Sequence, residues 1–212
     1  YKLAAIAHLD VQGNGSLGDI AASVFGGWVA YRSFDKQWLA DIRPTVSLTE
    51  LLEMPWPSLS IELLTPPAEL SLLIGWTGSP ASTSHLVDKI ALAKTERQAD
   101  YQNFLAASKA CLEAMVEGFR RNDLAQIQAE LRHNRAILQD LAHFSHVAIE
   151  TPILQKMGAL AETIGGAAKT SGAGGGDCGI VIIDRAIETE ALFEQWRANQ
   201  IERLNLAVHL VD

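Results

Sequence analysis

The sequence contains little cysteine and little positive charge, and each shortage excludes a class of protein. Two of the 212 residues are cysteines, and Cys111 and Cys178 lie far apart with no CxxC spacing. Such cysteines indicate reduced thiols in a cytosolic protein rather than a disulfide framework. The 17 lysines and arginines are outnumbered by 25 aspartates and glutamates, which gives a net charge of −8. Because no basic stripe is interleaved with aromatic residues, nucleic acid is not expected as a partner.

Long apolar runs are missing as well. No stretch approaches the roughly 20 consecutive apolar residues that a membrane span needs, and no signal-peptide pattern is present. We therefore expect a cytoplasmic protein without a membrane partner. The apolar fraction of 48% is enough to bury a core in one or two domains. An acidic protein of this kind can still bind an anion if a few local cations and oriented backbone amides supply the field.

Glycine is locally abundant in one stretch. Between Gly165 and Gly179 lie seven of the chain's 16 glycines, and Lys169, Thr170 and Ser171 lead into the densest part. Glycine loses more conformational entropy on folding than any other residue, so such a cluster needs a physical reason. One reason is a tight loop between a helix and a strand over residues 179–183. The other is backbone amides that converge on an anion, and the Lys-Thr-Ser run favours this second interpretation.

A second glycine-rich stretch runs from Gly13 to Asp19. Its glycines end a first helix, and Ser16 is a candidate cap for the next one. Ser-x-x-Asp is a capping-box pattern, which offers a purely structural explanation of Asp19. The functional alternative is that the helix N-terminus faces an anion with the Asp19 carboxylate beside it. That arrangement needs a lysine or a metal ion between the two negative charges, and no lysine lies near Asp19 in the chain.

The periodicity of apolar residues predicts an α+β protein with helices packed on one side of a mixed or antiparallel sheet. The break at residues 65–67, Thr-Pro-Pro, predicts a domain boundary. Strands are predicted over residues 28–34, 59–64, 70–76, 179–183 and 204–211, and helices over residues 1–11, 16–24, 48–53, 86–94, 98–145 with a division at 122–123, 153–164 and 188–200.

Two further polar stretches have structural explanations. His143-x-x-His146 has a metal-like spacing, but no cysteine or carboxylate accompanies it, so a solvated helix end is favoured and no metal site is predicted. The hydroxyl-rich turn at residues 77–84 could line a site, although helix capping also explains it.

Two motifs carry a family resemblance: Gly-Asn-Gly-Ser-Leu-Gly-Asp-Ile-Ala-Ala-Ser from Gly13, and Lys-Thr-Ser-Gly-Ala-Gly-Gly-Gly-Asp-Cys from Lys169. Together with Ile-Gly-Trp-Thr-Gly-Ser-Pro-Ala-Ser-Thr from Ile74, they resemble the GHMP kinases, and within that superfamily the phosphomevalonate kinase family. The resemblance covers essentially the whole chain. It implies two α+β domains with the active site between them. It also implies the ATP- and Mg²⁺-dependent phosphorylation of 5-phosphomevalonate to 5-diphosphomevalonate in the mevalonate pathway to isoprenoids.

The resemblance implies a division of the chain into residues 1–67, the tail of the N-terminal domain, and residues 68–212, the C-terminal domain. The family's N-terminal lysine motif and Gly-Leu-Gly-Ser-Ser-type phosphate loop are absent, and the first helix has no start signal. We therefore expect an inactive fragment that lacks the main binding elements for ATP and Mg²⁺. Apolar surface left by the missing part predicts self-association, or a separate N-terminal fragment as partner.

The same resemblance implies roles for residues of both motifs. The attacking phosphate oxygen is already largely ionised at neutral pH, because a second phosphate pKa lies near ~6. Asp19 is therefore assigned to orienting the acceptor and its cationic partner, with proton removal as a lesser role. Contacts with the acceptor or the transferred group are assigned, by motif, to Gly15, Ser16 and Gly18, and to Lys169, Ser171, Gly172, Ala173 and Gly174.

Two other functions stay open at this point. One is a GHMP kinase of another acceptor, such as mevalonate or homoserine, in which an alcohol acceptor would demand more base character from Asp19. The other is a non-catalytic module that binds a phosphorylated ligand or a partner chain. A nicotinamide or flavin protein is rejected, because its glycine fingerprint follows a strand and opens a helix, whereas this loop is predicted to follow a helix and open a strand.

Overall fold

The computed structural model describes residues 1–78, 90, 94–172 and 174–209. The turn at residues 79–84, most of the predicted helix over 86–94, and Ala173 lie outside these residues. The chain divides into two compact units, Tyr1–Thr65 with Val208–Asp212 and Pro66–Ala207. None of the helices in the described ranges has the length and apolar character that crossing a membrane requires.

The first unit contains four helices and a two-stranded antiparallel sheet. Its elements are α1 (Lys2–Gln12), α2 (Gly18–Phe25), β1 (Trp28–Arg32), α3 (Lys36–Ile42), a 3₁₀ turn (Arg43–Thr45), α4 (Leu48–Glu53) and β2 (Ser60–Leu64). Strand β1 pairs with β2 so that Trp28 lies opposite Leu64. A core of aliphatic and aromatic side chains holds these elements together, including the edge-on contact of Phe34 with Trp56 at 4.6 Å between ring centroids.

The second unit is a four-stranded antiparallel sheet with packed helices. Its elements are β3 (Leu70–Trp76), α5 (Gln98–Arg120), α6 (Leu124–Ser145), α7 (Pro152–Glu162), β4 (Ala167–Thr170), β5 (Cys178–Asp184), α8 (Glu190–Ala198) and β6 (Glu202–Leu204). The strand order is β4-β5-β3-β6, and each neighbouring pair is antiparallel. The predicted α+β class is confirmed.

A pair of glycines in the centre of this sheet makes room for a helix. Gly75 on β3 lies opposite Gly179 on β5. A Cβ on Gly75 would approach the sulfur of Met157 to 2.9 Å, and one on Gly179 would approach its Cε to 2.6 Å. Met157 belongs to α7 and is fully buried in the main core, together with Trp196 of α8. Gly179 is therefore explained by packing and not by a ligand.

Many element boundaries match the predictions because local signals set them. Thr151 caps α7 and accepts from the backbone N–H of Leu154, and Pro152 occupies the first turn. Asp123 caps α6 by accepting from Gln126 N, which divides α5 from α6. Strand β3 and helix α4 have the predicted bounds.

Two strand predictions were wrong. The glycine loop does not follow a helix directly, because Ala167–Thr170 forms the edge strand β4, paired with β5. Alanine has no preference for strands, so residues 167–170 form a strand only because they pair with β5. The last strand covers Glu202–Leu204 instead of residues 204–211. Beyond it the chain returns to the first unit, where Gly27 N donates to the carbonyl of His209 over 2.8 Å.

Candidate functional site

The first motif forms an uncapped helix N-terminus. Leu17 is the N-cap of α2, with a left-handed φ of 65°, and no described side chain makes a capping hydrogen bond there. The capping box, one of the two explanations offered for Ser16 and Asp19, is therefore wrong. The reason is tertiary: the Leu17 side chain is 1% exposed in the core of the first unit, and its burial places Ser16 outside the helix start.

This geometry leaves the first amides of α2 available to a ligand. Helix α2 begins with the hydrogen bond from Ala21 N to Leu17 O, at 3.1 Å. The N–H groups of Gly18, Asp19 and Ile20 therefore precede the helical ladder, at the positive end of the helix dipole. Asp19 is exposed in this first turn. Its carboxylate takes part in none of the hydrogen bonds or ion pairs found among the described residues.

Side chains from neighbouring elements fix the loop before α2. Lys36, at the start of α3, donates to the carbonyl of Gly15. Tyr31 donates to the carbonyl of Ser16 over 2.9 Å and shares a 2.7 Å hydrogen bond with the hydroxyl of Tyr1. Burial, more than these neighbours, raises the pKa of the Tyr1 phenol above its ordinary value. Lys36 therefore brings a cation to the first motif, which contains no lysine or arginine of its own. This contact was not predicted from the sequence.

The glycine stretch forms the connection between β4 and β5. Ser171 N donates to Cys178 O over 2.9 Å, and Thr77 N donates to Asp177 O over 2.8 Å. Left-handed φ angles of 62°, 79°, 82° and 134° occur along the loop, in that order at Gly172, Gly174, Gly175 and Gly176. Residues with a Cβ rarely adopt this conformation, so the backbone path itself demands glycine.

The two ends of the loop have different surroundings. Gly172 is exposed, and a Cβ there would meet nothing within 4 Å. Gly174 is buried, and a Cβ there would lie 2.3 Å from the carbonyl oxygen of Ile149. The next residue, Gly175, donates its N–H to that same oxygen over 2.7 Å. The end at Gly172 is therefore open to a ligand, whereas Gly174 and Gly175 anchor the loop to the segment between α6 and α7.

Lys169 lies on β4, two residues before the loop, and its ammonium contacts the backbone of the next residue. Nζ donates to the carbonyl of Thr170 over 2.8 Å. Burial lowers the pKa of this lysine, and the nearby Cys111 thiol opposes that shift. No carboxylate in the described part of the chain forms an ion pair with Lys169. A largely buried cation without an anionic partner is costly, and a bound anion would relieve that cost.

One group of metal-ligand types occurs among the described residues: Cys111, Glu130 and His133. The Cys111 thiol donates to the backbone carbonyl of Glu130 over 3.2 Å. Burial raises the pKa of this thiol to about 12, so it is protonated at neutral pH. Mg²⁺ prefers carboxylate, carbonyl and water oxygens, so this set of residues does not suit it. His143 is exposed and His146 is the C-cap of α6, with neither in this group.

The structure groups the predicted residues by motif. Gly15, Ser16, Gly18 and Asp19 share the start of α2 in the first unit. Lys169, Ser171, Gly172 and Gly174 share the β4–β5 connection in the second unit, and Ala173 lies outside the described residues.

Sequence reasoning gave no definite role to Thr77, which adjoins the loop. Its hydroxyl is buried and has no hydrogen-bond partner in the described part of the chain. The hydroxyl-rich turn at residues 77–84 was the sequence feature that could have indicated Thr77 as a site residue.

The fold and the sequence are similar to those of a class of small-molecule kinases. Residues 115–202 match the family described as GHMP kinases C terminal. The sequence is similar to the phosphomevalonate kinases of that superfamily.

Three known proteins illustrate the relationship. The chain is 38% identical over 184 residues to the phosphomevalonate kinase of Streptomyces sp. (strain CL190), a match covering 87% of this chain and 49% of that protein. The crystal structure of a Lin0012 protein from Listeria innocua superposes with a TM-score of 0.90 at 40% identity, over 98% of this chain and 58% of that one. Streptococcus pneumoniae phosphomevalonate kinase, in complex with phosphomevalonate and AMPPNP, gives 0.80 at 33% identity, over 93% and 56%. The chain thus spans about half the length of the curated relative, 49%.

Proposed function

We propose that this chain is part of a phosphomevalonate kinase, which transfers the γ-phosphoryl group of ATP to the phosphate of 5-phosphomevalonate. The observation that carries the proposal is the ammonium of Lys169, largely buried without a carboxylate partner in the described residues, beside a glycine loop. The 38% identity to a phosphomevalonate kinase supports it. So does the related structure whose ligands are phosphomevalonate and AMPPNP.

The chemistry follows from the acceptor. An oxygen of its phosphate attacks the γ-phosphorus, the bond to the β-phosphate oxygen breaks, and ADP leaves. Because that oxygen is already largely ionised (phosphate pKa near ~6), a strong general base is not needed. The protein's task is positioning and charge neutralisation. Lys169, Ser171 and the backbone of Gly172 to Gly174 bind the acceptor phosphate or the transferred group.

The first motif completes the assignment. Asp19 orients the acceptor and a cation beside it, while Gly15, Ser16 and Gly18 contact the acceptor through the start of α2. With the capping box absent, the Asp19 carboxylate has no described structural role that would compete with this one. Lys36, which binds the Gly15 carbonyl, is our candidate for the cation that the sequence did not supply nearby.

ATP and Mg²⁺ remain part of the proposal for the whole enzyme. The described residues do not bring three carboxylates together as an Mg²⁺ site, and the one mixed cluster contains a thiol and an imidazole. We therefore derive no step through Mg²⁺ from this chain. We assign the main binding elements for ATP and Mg²⁺ to a part of the kinase outside this chain. Residues 1–67 are assigned to the tail of the N-terminal domain and residues 68–212 to the C-terminal domain, in a cytoplasmic enzyme.

The experiment uses a full-length kinase, meaning a polypeptide that contains this chain and reaches the length of its relatives. ADP release is measured with phosphomevalonate, mevalonate and homoserine as acceptors. We expect phosphomevalonate to give by far the highest kcat/KM. A preference for mevalonate or homoserine would overturn the acceptor assignment, and no turnover with any of them would favour a binding module. The 212-residue chain alone should release no ADP above a control without protein.

A further inference from the structure

The glycine loop is anchored to the short segment between α6 and α7. Ile149 in this segment is 2% exposed. Its carbonyl oxygen accepts the N–H of Gly175 over 2.7 Å and occupies the space where a Cβ of Gly174 would lie. The position of this one oxygen therefore fixes two consecutive residues of the loop. Whatever holds Ile149 in place also holds the loop.

An ion pair holds the residue that follows. Arg135 Nε donates to Glu150 Oε1 over 2.6 Å, and Gln139 Nε2 donates to Glu150 Oε2 over 2.8 Å. Arg135 and Gln139 are four residues apart on α6 and so lie on one helix face. Both oxygens of the Glu150 carboxylate are thus bound to α6. Since Glu150 is bonded directly to Ile149, its capture by α6 restricts where the Ile149 carbonyl can point.

The guanidinium of Arg135 is itself confined by α7. A Cβ on Gly158 would lie 2.9 to 3.0 Å from the guanidinium atoms of Arg135, so that group packs directly against the glycine. The side chains of Arg135 and Glu150 are 19% and 8% exposed. A pair this buried gains little net stability, because desolvation offsets its attraction, but it strongly disfavours other arrangements of the same groups. The pair of Arg135 and Glu150 is therefore suited to holding the backbone at residues 149–150 in one conformation.

We propose that Arg135 and Glu150 are positioning residues for the glycine loop, acting through the Ile149 carbonyl. They hold the loop in the conformation that binds the phosphate of the acceptor. The part of this inference that concerns the acceptor rests on the proposed function. The part that concerns the loop rests only on the contacts described above.

The first test needs no enzyme activity. Amide hydrogen exchange of the Gly175 N–H is compared in the 212-residue chain and in Glu150→Gln, which keeps the shape and removes the charge. The matched control is Glu162→Gln, because Glu162 also pairs with an arginine of α6, Arg132, over 2.7 Å but lies on α7, away from the Ile149 segment. We expect Glu150→Gln to accelerate exchange at Gly175 about tenfold or more, because it weakens a charge-assisted hydrogen bond. Glu162→Gln should leave it nearly unchanged.

The second test measures the functional consequence in the full-length kinase. We expect Glu150→Gln to raise the KM for phosphomevalonate by about tenfold while the KM for ATP changes by less than about twofold, since the loop contacts the acceptor phosphate. If Glu150→Gln does not fold, Gln139→Leu removes one of the two bonds to the carboxylate and should shift both readouts in the same direction by less.

The outcomes separate the two proposals. Equal exchange at Gly175 in the Glu150→Gln and Glu162→Gln variants would overturn the positioning role. If exchange accelerates only in Glu150→Gln but the full-length kinase does not use phosphomevalonate, the loop anchor stands and the proposed function fails. Acceleration with equal rises in both KM values would contradict the specific link to the acceptor.

Discussion

A Cβ added to Gly174 would lie 2.3 Å from the carbonyl oxygen of Ile149, whereas one added to Gly172 would meet nothing within 4 Å. Both glycines have a left-handed φ, 79° and 62°. Replacement by alanine therefore strains the backbone at either position, and only at Gly174 does it also push against a buried carbonyl. The two residues form a matched pair for testing which part of the loop is structural.

We expect Gly174→Ala to lower the free energy of unfolding by about 2–4 kcal/mol, because it combines backbone strain with overpacking. Gly172→Ala should cost only about 1 kcal/mol, the strain of a left-handed residue. Urea unfolding of both variants measures the difference. Equal losses would mean that the Ile149 carbonyl can move freely, contrary to its anchoring role.

The carboxylate of Asp19 should matter for turnover and not for folding. In the full-length kinase, we expect Asp19→Asn to reduce kcat by about 100-fold, the usual effect of removing one preorganised electrostatic interaction. The KM for phosphomevalonate should change much less. Steady-state kinetics with phosphomevalonate as the varied substrate decides this. A kcat near the wild-type value would refute the catalytic assignment.

A comparison of stabilities controls for helix capping. Ser47 and Glu50 form a genuine capping box at α4, with Glu50 N donating to Ser47 Oγ. Ser47→Ala should therefore lose about 1 kcal/mol of stability. Asp19→Asn should lose less, about 0.3 kcal/mol from its interaction with the helix dipole, because α2 has no such bond. A comparable loss at both positions would restore the capping explanation of Asp19.

Lys169 should contribute to binding at the expense of stability. Its charge is attracted to the acceptor before the reaction as well as during it, so it acts mainly on apparent affinity. We expect Lys169→Met to weaken acceptor binding by about 1.5–3 kcal/mol, the range for a charge-assisted contact. Without ligand, the same variant should be as stable as the parent or more stable, because it removes an unpaired, largely buried cation. Lys156→Met, at an exposed position on α7, is the control.

Calorimetric measurement of phosphomevalonate binding, together with thermal unfolding, tests both effects of Lys169→Met. Unchanged affinity would indicate that the glycine loop is a structural turn. A large loss of stability would show that Lys169 has a folding role that its described contacts do not include.

The thiol of Cys111 should make stability fall in alkaline solution. Burial raises the pKa of this thiol from its ordinary value of 9.0 to about 12 in the folded protein. Between these two values the unfolded chain releases a proton that the folded chain retains. The stabilising contribution is therefore complete below pH 9 and is lost as the pH rises towards 12, by at most about 1.4 kcal/mol per pH unit.

Cys111→Ala removes this contribution, so its stability should fall less steeply than that of the parent over the same range. Denaturant unfolding at several pH values from 8 to 11 gives the two slopes. Parallel slopes would mean that the thiol titrates alike in the folded and unfolded chain. The lowered pKa of Lys169 has the opposite sign, since it makes stability rise with pH below its ordinary value of 10.5. In Lys169→Met, the part of the pH dependence of stability that comes from Lys169 should disappear.

Apolar side chains on the first unit should promote self-association. Leu3 and Leu63 are 55% and 56% exposed. Ile61 lies on the same face of β2 as Leu63 and lines a concavity with Leu3 and Phe25. We expect Leu63→Ser to reduce the apparent mass in sedimentation, and Leu105→Ser, at an exposed position on α5, to leave it unchanged. A parent chain that is monomeric at all concentrations would contradict this.

Sequence signals were sufficient for several elements with local determinants, although helix α3, which Asp35 caps, was not predicted. Thr151-Pro152 predicted the start of α7, and the polar Asn122-Asp123 pair predicted the division of α5 from α6, because capping and turn preferences act over three or four residues. The buried strand β3 was predicted with its observed bounds from its apolar run. The two glycine motifs were sufficient to recognise the similarity to the GHMP kinases, because both are dense and specific.

Other features depended on contacts between residues distant in the chain. Strand β4 was missed because two alanines, a lysine and a threonine have no strand pattern, and only pairing with β5 makes them a strand. The apparent capping box at Ser16 failed because burial of Leu17 outweighed a local preference.

The sequence by itself therefore determined the class of fold, many helix boundaries and the position of the two motifs. The tertiary structure decided how those residues are held: Lys36 at the Gly15 carbonyl, the Ile149 carbonyl beneath Gly174 and Gly175, and the pair of Arg135 with Glu150. Local preferences of about 1 kcal/mol leave a readable pattern in a sequence. A buried polar contact between distant segments leaves none, because its strength arises only when folding removes both partners from water.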